Sequence, residues 1–158
     1  MPSSKTPDSS PSSQLDQIKL SNLLGYQLAQ ATVPTNHIFK THIESEFGLN
    51  KLEFTTLLLV SANDGVTPKR ISSAMNVPAP NLTLILDRLE ERELLRRTRN
   101  DVDRRVQHVQ LTRKGVALVK KLDAVVARME DALLSHLTAA ERAMLFELLR
   151  KVAVHRKG

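Results

Sequence analysis

The chain has 158 residues, with 23 Lys and Arg against 17 Asp and Glu for a net charge of +6, and it contains neither Cys nor Trp. That length fits one domain or two small lobes around a core of ordinary size. The missing cysteines exclude a disulfide framework, a thiolate metal site and thiol-based redox sensing, and they fit a reducing cytoplasm. The longest apolar runs, such as Leu57 to Val60, fall far short of the roughly 20 residues of a spanning helix, so no membrane association is expected.

Residues 1–13 hold six Ser and three Pro, with no apolar stretch for an export signal, and read as a disordered tail. A first helix is expected from about Leu15, with Ser13 as N-cap and Ile18, Leu24, Leu28 and Ala31 on one face. Pro34 should interrupt it with a kink, because proline removes the bond that the Gln30 carbonyl would accept. Helix then resumes through Ile38, Ile43 and Phe47 to Gly48. A second helix, about Lys51 to Ala62, is apolar nearly all round and belongs in the core; Asn63-Asp64-Gly65 ends it.

Thr67-Pro68 supplies an N-cap and a first-turn proline for a short helix that turns Ile71, Ala74 and Met75 inward. After a turn at Asn76 and Val77, Pro80 opens a further helix with Leu82, Ile85, Leu86 and Leu89 on its apolar face. Short helix, tight turn and longer helix form a helix-turn-helix, whose second helix can enter a DNA major groove. Leu94 to Arg99 and Val106 to Leu111 read as a hairpin around a six-residue loop without glycine. Thr112 caps a long helix carrying Leu118, Leu122, Val125, Met129, Leu133 and Leu137 over about five turns. Thr138-Ala-Ala-Glu141 forms a capping box for a last helix lined on its inner face by Leu145, Leu148, Leu149 and Val152.

Charge is unevenly placed. Residues 1–65 carry 4 basic and 6 acidic groups, residues 66–115 carry 11 and 6, and residues 116–158 carry 8 and 5. A basic middle suggests a surface that meets nucleic acid, although arginines on a solvated face would give the same count. Among the polar residues at the outward start of the helix from Pro80, Asn81 can bind adenine bidentately or simply serve the helix start. Thr83 can touch a base edge or a thymine methyl. Arg88 can reach phosphate or pair with Asp101 or Asp103. Lys69 and Arg70 are candidate phosphate contacts, whereas Arg96, Arg97 and Arg99 read as plain strand-surface charges. No nucleophile elbow, phosphate-binding glycine loop or His-Glu-x-x-His is present, so no enzyme and no catalytic residue is expected. His37 and His42 do not share a helix face, and His108 reads as a surface group, so no metal site is expected.

Several segments together resemble the MarR-type regulators: Val77-Pro-Ala-Pro-Asn-Leu-Thr-Leu-Ile-Leu-Asp-Arg-Leu-Glu-Glu-Arg, then Leu94-Leu-Arg-Arg, Asp103-Arg104-Arg105 and Leu111-Thr-Arg-Lys-Gly115, in family order and spacing. Leu24-Gly-Tyr-Gln-Leu and Leu137-Thr-Ala-Ala-Glu extend the resemblance to about residues 15–155. It implies a mainly α winged helix-turn-helix with a small two- or three-stranded wing and a helical dimerisation region. The expected division is a tail (1–13), an N-terminal dimerisation helix kinked near Pro34 (14–48), a winged helix-turn-helix (49–113) and C-terminal dimerisation helices (114–158). A two-fold dimer would cover the long stripe from Leu118 to Leu137, unless the stripe packs within one protomer.

The resemblance further implies a homodimer on a pseudopalindromic double-stranded operator, with Arg104 of the wing in the minor groove and Arg105 in support or on phosphate. An acidic Asp103 beside them makes sense if it holds an arginine fork, although a solvated, salt-bridged loop would look the same. Leu84 departs from the basic or polar residue of many relatives and can instead meet a methyl group. The family's usual effector is a small aromatic carboxylate or phenol, with no other cofactor. Tyr26, Gln30, Asn36 and His37, around the Pro34 bend, are the candidate effector residues, although such a bend can simply wrap a partner. The reading is a cytoplasmic repressor released by such an effector; the alternative is a winged-helix protein-interaction adaptor without operator binding.

Overall fold

The structure, a computed structural model, describes residues 17–99 and 106–154. Helix α1 (Leu24–Phe39) passes into a π-helical turn (Lys40–Glu44) and a short α2 (Ser45–Phe47), followed by α3 (Lys51–Ala62), α4 (Pro68–Met75), α5 (Ala79–Glu91), strands β1 (Leu95–Arg99) and β2 (Gln107–Leu111), α6 (Arg113–Leu133) and α7 (Ala139–Val154). The mainly helical winged helix-turn-helix expected from the sequence is what forms. No helix among the described residues is long and apolar enough to cross a membrane.

The first helix starts later than expected. Residues 18–22 turn instead of coiling, because local bonds satisfy their backbone: the Leu20 N–H donates to the Gln17 carbonyl at 2.8 Å, the Ser21 hydroxyl to that of Ile18 at 2.8 Å, and the Gln27 side-chain amide to that of Ser21 at 2.7 Å. Such side-chain bonds compete with helix. Ser13, the expected cap, lies outside the described residues. Pro34 sits inside α1, and helix continues past it as expected. Proline deletes a single donor, and the bonds on either side carry the helix through it. A π turn follows downstream, where the Ser45 hydroxyl donates to the Lys40 carbonyl at 2.7 Å. Gly48 then closes α2 in the left-handed conformation, φ 60°.

Asn50 and Glu53 form a capping box for α3, the side chain of each accepting from the other's backbone N–H, at 2.9 and 3.0 Å. It accounts for the burial of Glu53, because the carboxylate has a partner where it lies. Leu57 and Val60 of α3 enter the core with Ile71 of α4 and Leu82, Ile85, Leu86 and Leu89 of α5. Ala74, expected inside, is exposed. It lies one turn along from Ile71 and lines the same open cleft beside α4, and only Ile71 is buried in this eight-residue helix. Between α4 and α5, Asn76 takes the left-handed conformation, φ 52°, and the Ser72 hydroxyl donates to the Val77 carbonyl at 2.6 Å.

The strands pair antiparallel with Leu95 opposite Leu111 and Arg97 opposite Val109. A single bridge adds Val66 to this two-stranded sheet, the Val109 N–H donating to the Val66 carbonyl at 2.8 Å. Thr112 then caps α6 as expected, accepting from the Gly115 N–H at 3.0 Å.

Two expectations about the C-terminal helices need correction. α6 ends at Leu133, four positions before Leu137, because the Arg142 side chain donates to the Leu134 carbonyl at 3.1 Å and to Asp131 at 2.9 Å, closing the turn into α7. Its stripe is buried within the protomer at Leu122, Val125 and Met129, joined by Val119. α7 is the reverse case. The Thr138–Glu141 box forms, yet Leu145, Leu148, Leu149 and Val152 are all exposed. The apolar face left uncovered is therefore that of α7 and not that of α6.

Candidate nucleic-acid interface

α4 and α5 position the site. The four buried residues of α5 fix its rotation, so that Pro80, Asn81, Thr83, Leu84 and Arg88 all point to solvent. The Thr83 hydroxyl donates to the Ala79 carbonyl at 3.0 Å, which leaves its methyl and its lone pairs for an outside partner. Lys69 and Arg70 are exposed in the first turn of α4. They border a shallow cleft of about 350 Å³ shared with Asn63 and Ser73. The sequence thus brings two basic residues and the outer face of α5 onto one helix-turn-helix unit.

Arg97 corrects the reading of the strand arginines. It is half-buried, its backbone N–H donates to Glu90 Oε1 at 3.0 Å, its Nε to Glu90 Oε2 at 2.9 Å, and its Nη2 to Asp87 at 2.5 Å. The carboxyl of Glu90 is held below the ordinary glutamate range, first by the Arg97 backbone N–H and further by the guanidinium, with partial burial opposing both. The same two carboxylates push the Arg97 guanidinium up. Wing and recognition helix are thereby tied side to side. Arg96 and Arg99 are exposed, as expected. His108 is no plain surface group: it is half-buried and its Nδ1 donates to the Gly65 carbonyl at 2.6 Å. Asp103, Arg104 and Arg105, and the pairing of Arg88 with Asp101 or Asp103, lie outside the described residues.

Arg92, which sequence reasoning passed over, ends α5 and donates to the carbonyls of Phe47 and Gly48. It fastens the recognition helix to the C-terminal end of the first helical segment.

A second cavity, of about 700 Å³, opens between α1, the end of α6 and α7. Leu28, Ala31 and Pro34 form one wall and Leu133, Leu145 and Phe146 another, with Gln27, Thr35, Glu130 and His136 as its polar groups. None of Tyr26, Gln30, Asn36 and His37 lines it. The Tyr26 hydroxyl donates to Gln17 at 2.5 Å, Asn36 accepts from Lys51, and Gln30 and His37 are exposed. The signal that would have located the cavity was the 24, 28, 31 row already visible as the apolar face of this helix; its continuation at Pro34 and Thr35 is the cavity wall.

A sequence model of the MarR family matches residues 49–106. The chain is 31% identical over 130 residues to the HTH-type transcriptional regulator MhqR of Bacillus subtilis, a match covering 82% of this chain and 89% of that one. Among solved structures, it superposes with a TM-score of 0.82 and 36% identity on the transcriptional repressor CouR bound to a 23-mer DNA duplex, covering 89% of this chain and 99% of that one. It also resembles Bordetella bronchiseptica BpsR, whose DNA binding is regulated by 6-hydroxynicotinic acid, with a TM-score of 0.76, 26% identity and coverage of 84% and 94%.

Proposed function

The chain belongs to the MarR family, and on that premise we propose that it is a homodimeric, sequence-specific DNA-binding repressor of the cytoplasm that acts by binding and carries out no catalysis. The outer face of α5 carries this reading. Four apolar side chains lock the helix into the core, and Asn81, Thr83, Leu84 and Arg88 face outward with Lys69 and Arg70 close by in the chain. An α-helix so held fits a major groove, while exposed cations meet phosphate. Arg104 would extend the contact into the adjacent minor groove, with Arg105 in support or on phosphate and Asp103 holding an arginine fork. The likeness to DNA-bound CouR supports the same use of the fold.

Residues 14–48 and 114–158 are assigned to dimerisation and residues 49–113 to DNA. The uncovered apolar residues of α7 and of the first helix support that division. A small aromatic carboxylate or phenol is the proposed releasing ligand. The cavity beside Pro34 suits it, with apolar walls for a ring and a few polar groups for its substituents. The regulation of BpsR by 6-hydroxynicotinic acid supports that class. Release then follows from linkage: a ligand that prefers a dimer with misplaced recognition helices weakens operator binding by its differential affinity. Tyr26, Gln30, Asn36 and His37 could take part only from outside the cavity wall.

Operator affinity measured by fluorescence anisotropy against salt tests the DNA reading. Several phosphate contacts should lower affinity about a thousandfold between roughly 50 and 200 mM salt. A flat salt response would replace this reading with that of a protein-interaction adaptor.

A further inference from the structure

The polar reading of α5 leaves its outermost ridge unexplained. At about 3.6 residues per turn, Pro80 and Leu84 stand one turn apart on the side facing away from Leu82, Ile85, Leu86 and Leu89. Both are exposed, Leu84 by 59%. On one flank of this ridge the Thr83 hydroxyl proton is bonded to Ala79 and Asp87 and Glu90 hold Arg97; Asn81 and Arg88 stand on the other, exposed. One exposed leucine on a protein surface is ordinary. This one sits in the second turn of the helix whose N-terminal residues meet base edges in helix-turn-helix docking. Of the groups that base pairs present in the major groove, the thymine C5-methyl is the apolar one.

We propose that Leu84, flanked by Pro80, reads a thymine methyl in each half-site, so that one operator position is specified by apolar contact and not by a hydrogen bond. The inference rests on the DNA-binding function proposed above. Asn81 and Arg88, on the flank of the ridge, would orient the helix by hydrogen bonds, and Leu84 would then discriminate thymine from the three bases that lack the methyl.

The test begins with duplexes enriched from a random library by the full-length protein. Each thymine of the enriched half-site is then replaced, one position at a time, by uracil, which keeps every hydrogen-bonding group and lacks only the methyl. One position should lose affinity about fourfold, the worth of a single buried methyl-sized group. Leu84→Ala, at an exposed position, should bind more weakly and should no longer distinguish thymine from uracil there. Indifference of the native protein to uracil at every position overturns the inference while leaving DNA binding intact, as does a Leu84→Ala protein that still distinguishes the two bases. Failure of any duplex to enrich overturns the DNA-binding function and this inference with it.

Discussion

Arg92 and Gly48 are 44 residues apart in sequence, yet the guanidinium Nη1 of the first donates to the carbonyl of the second at 2.9 Å. Its Nη2 reaches the adjacent Phe47 carbonyl at 2.8 Å. These carbonyls end the first helical segment, where unpaired oxygens and the helix dipole favour a cation. The planar fork matches two neighbouring acceptors, which a lysine ammonium cannot do in the same geometry. Arg92→Ala should therefore cost about 2 kcal/mol, the scale of hydrogen bonds from a charged donor, and Arg92→Lys should recover less than half. Urea unfolding of the three proteins measures this. Equal midpoints for all three would show that the fork holds nothing.

Gly115 marks a second close approach. A Cβ there would lie 1.9 Å from the Leu94 carbonyl oxygen, which is itself the acceptor of the Thr112 N–H at 3.1 Å. In an open helix, Gly→Ala would stabilise by about 1 kcal/mol. Here the neighbour is backbone at the root of the wing, and it cannot swing aside as a flexible side chain would. Gly115→Ala should lower stability by about 1–3 kcal/mol, the cost of overpacking. A raised melting temperature in calorimetry would contradict the close approach of α6 to the Leu94 carbonyl.

The Glu90–Arg97 tie gives the fold an acid-sensitive element. Because the folded carboxyl titrates below its unfolded value, the unfolded chain binds the proton more readily, and stability from this group rises with pH. It is complete above the unfolded glutamate pKa and is lost as pH falls through the lower folded value. Glu90→Gln keeps an acceptor and removes the charge. The native protein should exceed this variant in stability at neutral pH, and the gap should close as pH falls below about 4. A gap that stays constant or widens in acid, followed by denaturant titrations at each pH, would exclude the tie as its source.

Much of this arrangement was legible in the sequence, for local reasons. The buried row of α5 follows from helical period, and the caps at Thr67, Thr112 and Thr138 follow from short-range bonding rules. Asn50-Lys-Leu-Glu53 offered the same kind of signal and was passed over. Arg92, by contrast, carries no local sign of its partners, because its acceptors are backbone groups brought near only by folding. Arg97 looked like its neighbours Arg96 and Arg99 until the helix beside the strand supplied two carboxylates. Period identified the apolar faces of α6 and α7 correctly, but period cannot say which chain covers a face. That is why the sequence left open whether the α6 stripe packs within one protomer and showed nothing of the exposed face of α7.

The uncovered face of α7 yields the remaining prediction. Leu148 and Val152 are 51% and 48% exposed and do not line the cavity beside α1, so the protomer's own packing gives them no task. Several large apolar side chains clustered on one face indicate contact with another surface. In the proposed homodimer that surface is a second copy, and in a two-fold dimer a substitution on α7 acts twice. The double variant Leu148→Asp, Val152→Asp should sediment as a monomer while retaining the helical circular dichroism of the native chain. Its affinity for a two-half-site duplex should fall by about a hundredfold or more, because the second half-site is then no longer bound within one complex. Affinity for a single half-site should change little. A variant that remains dimeric would remove this face of α7 from the interface, and a monomer that binds the full operator as tightly as the native protein would separate dimerisation from operator recognition.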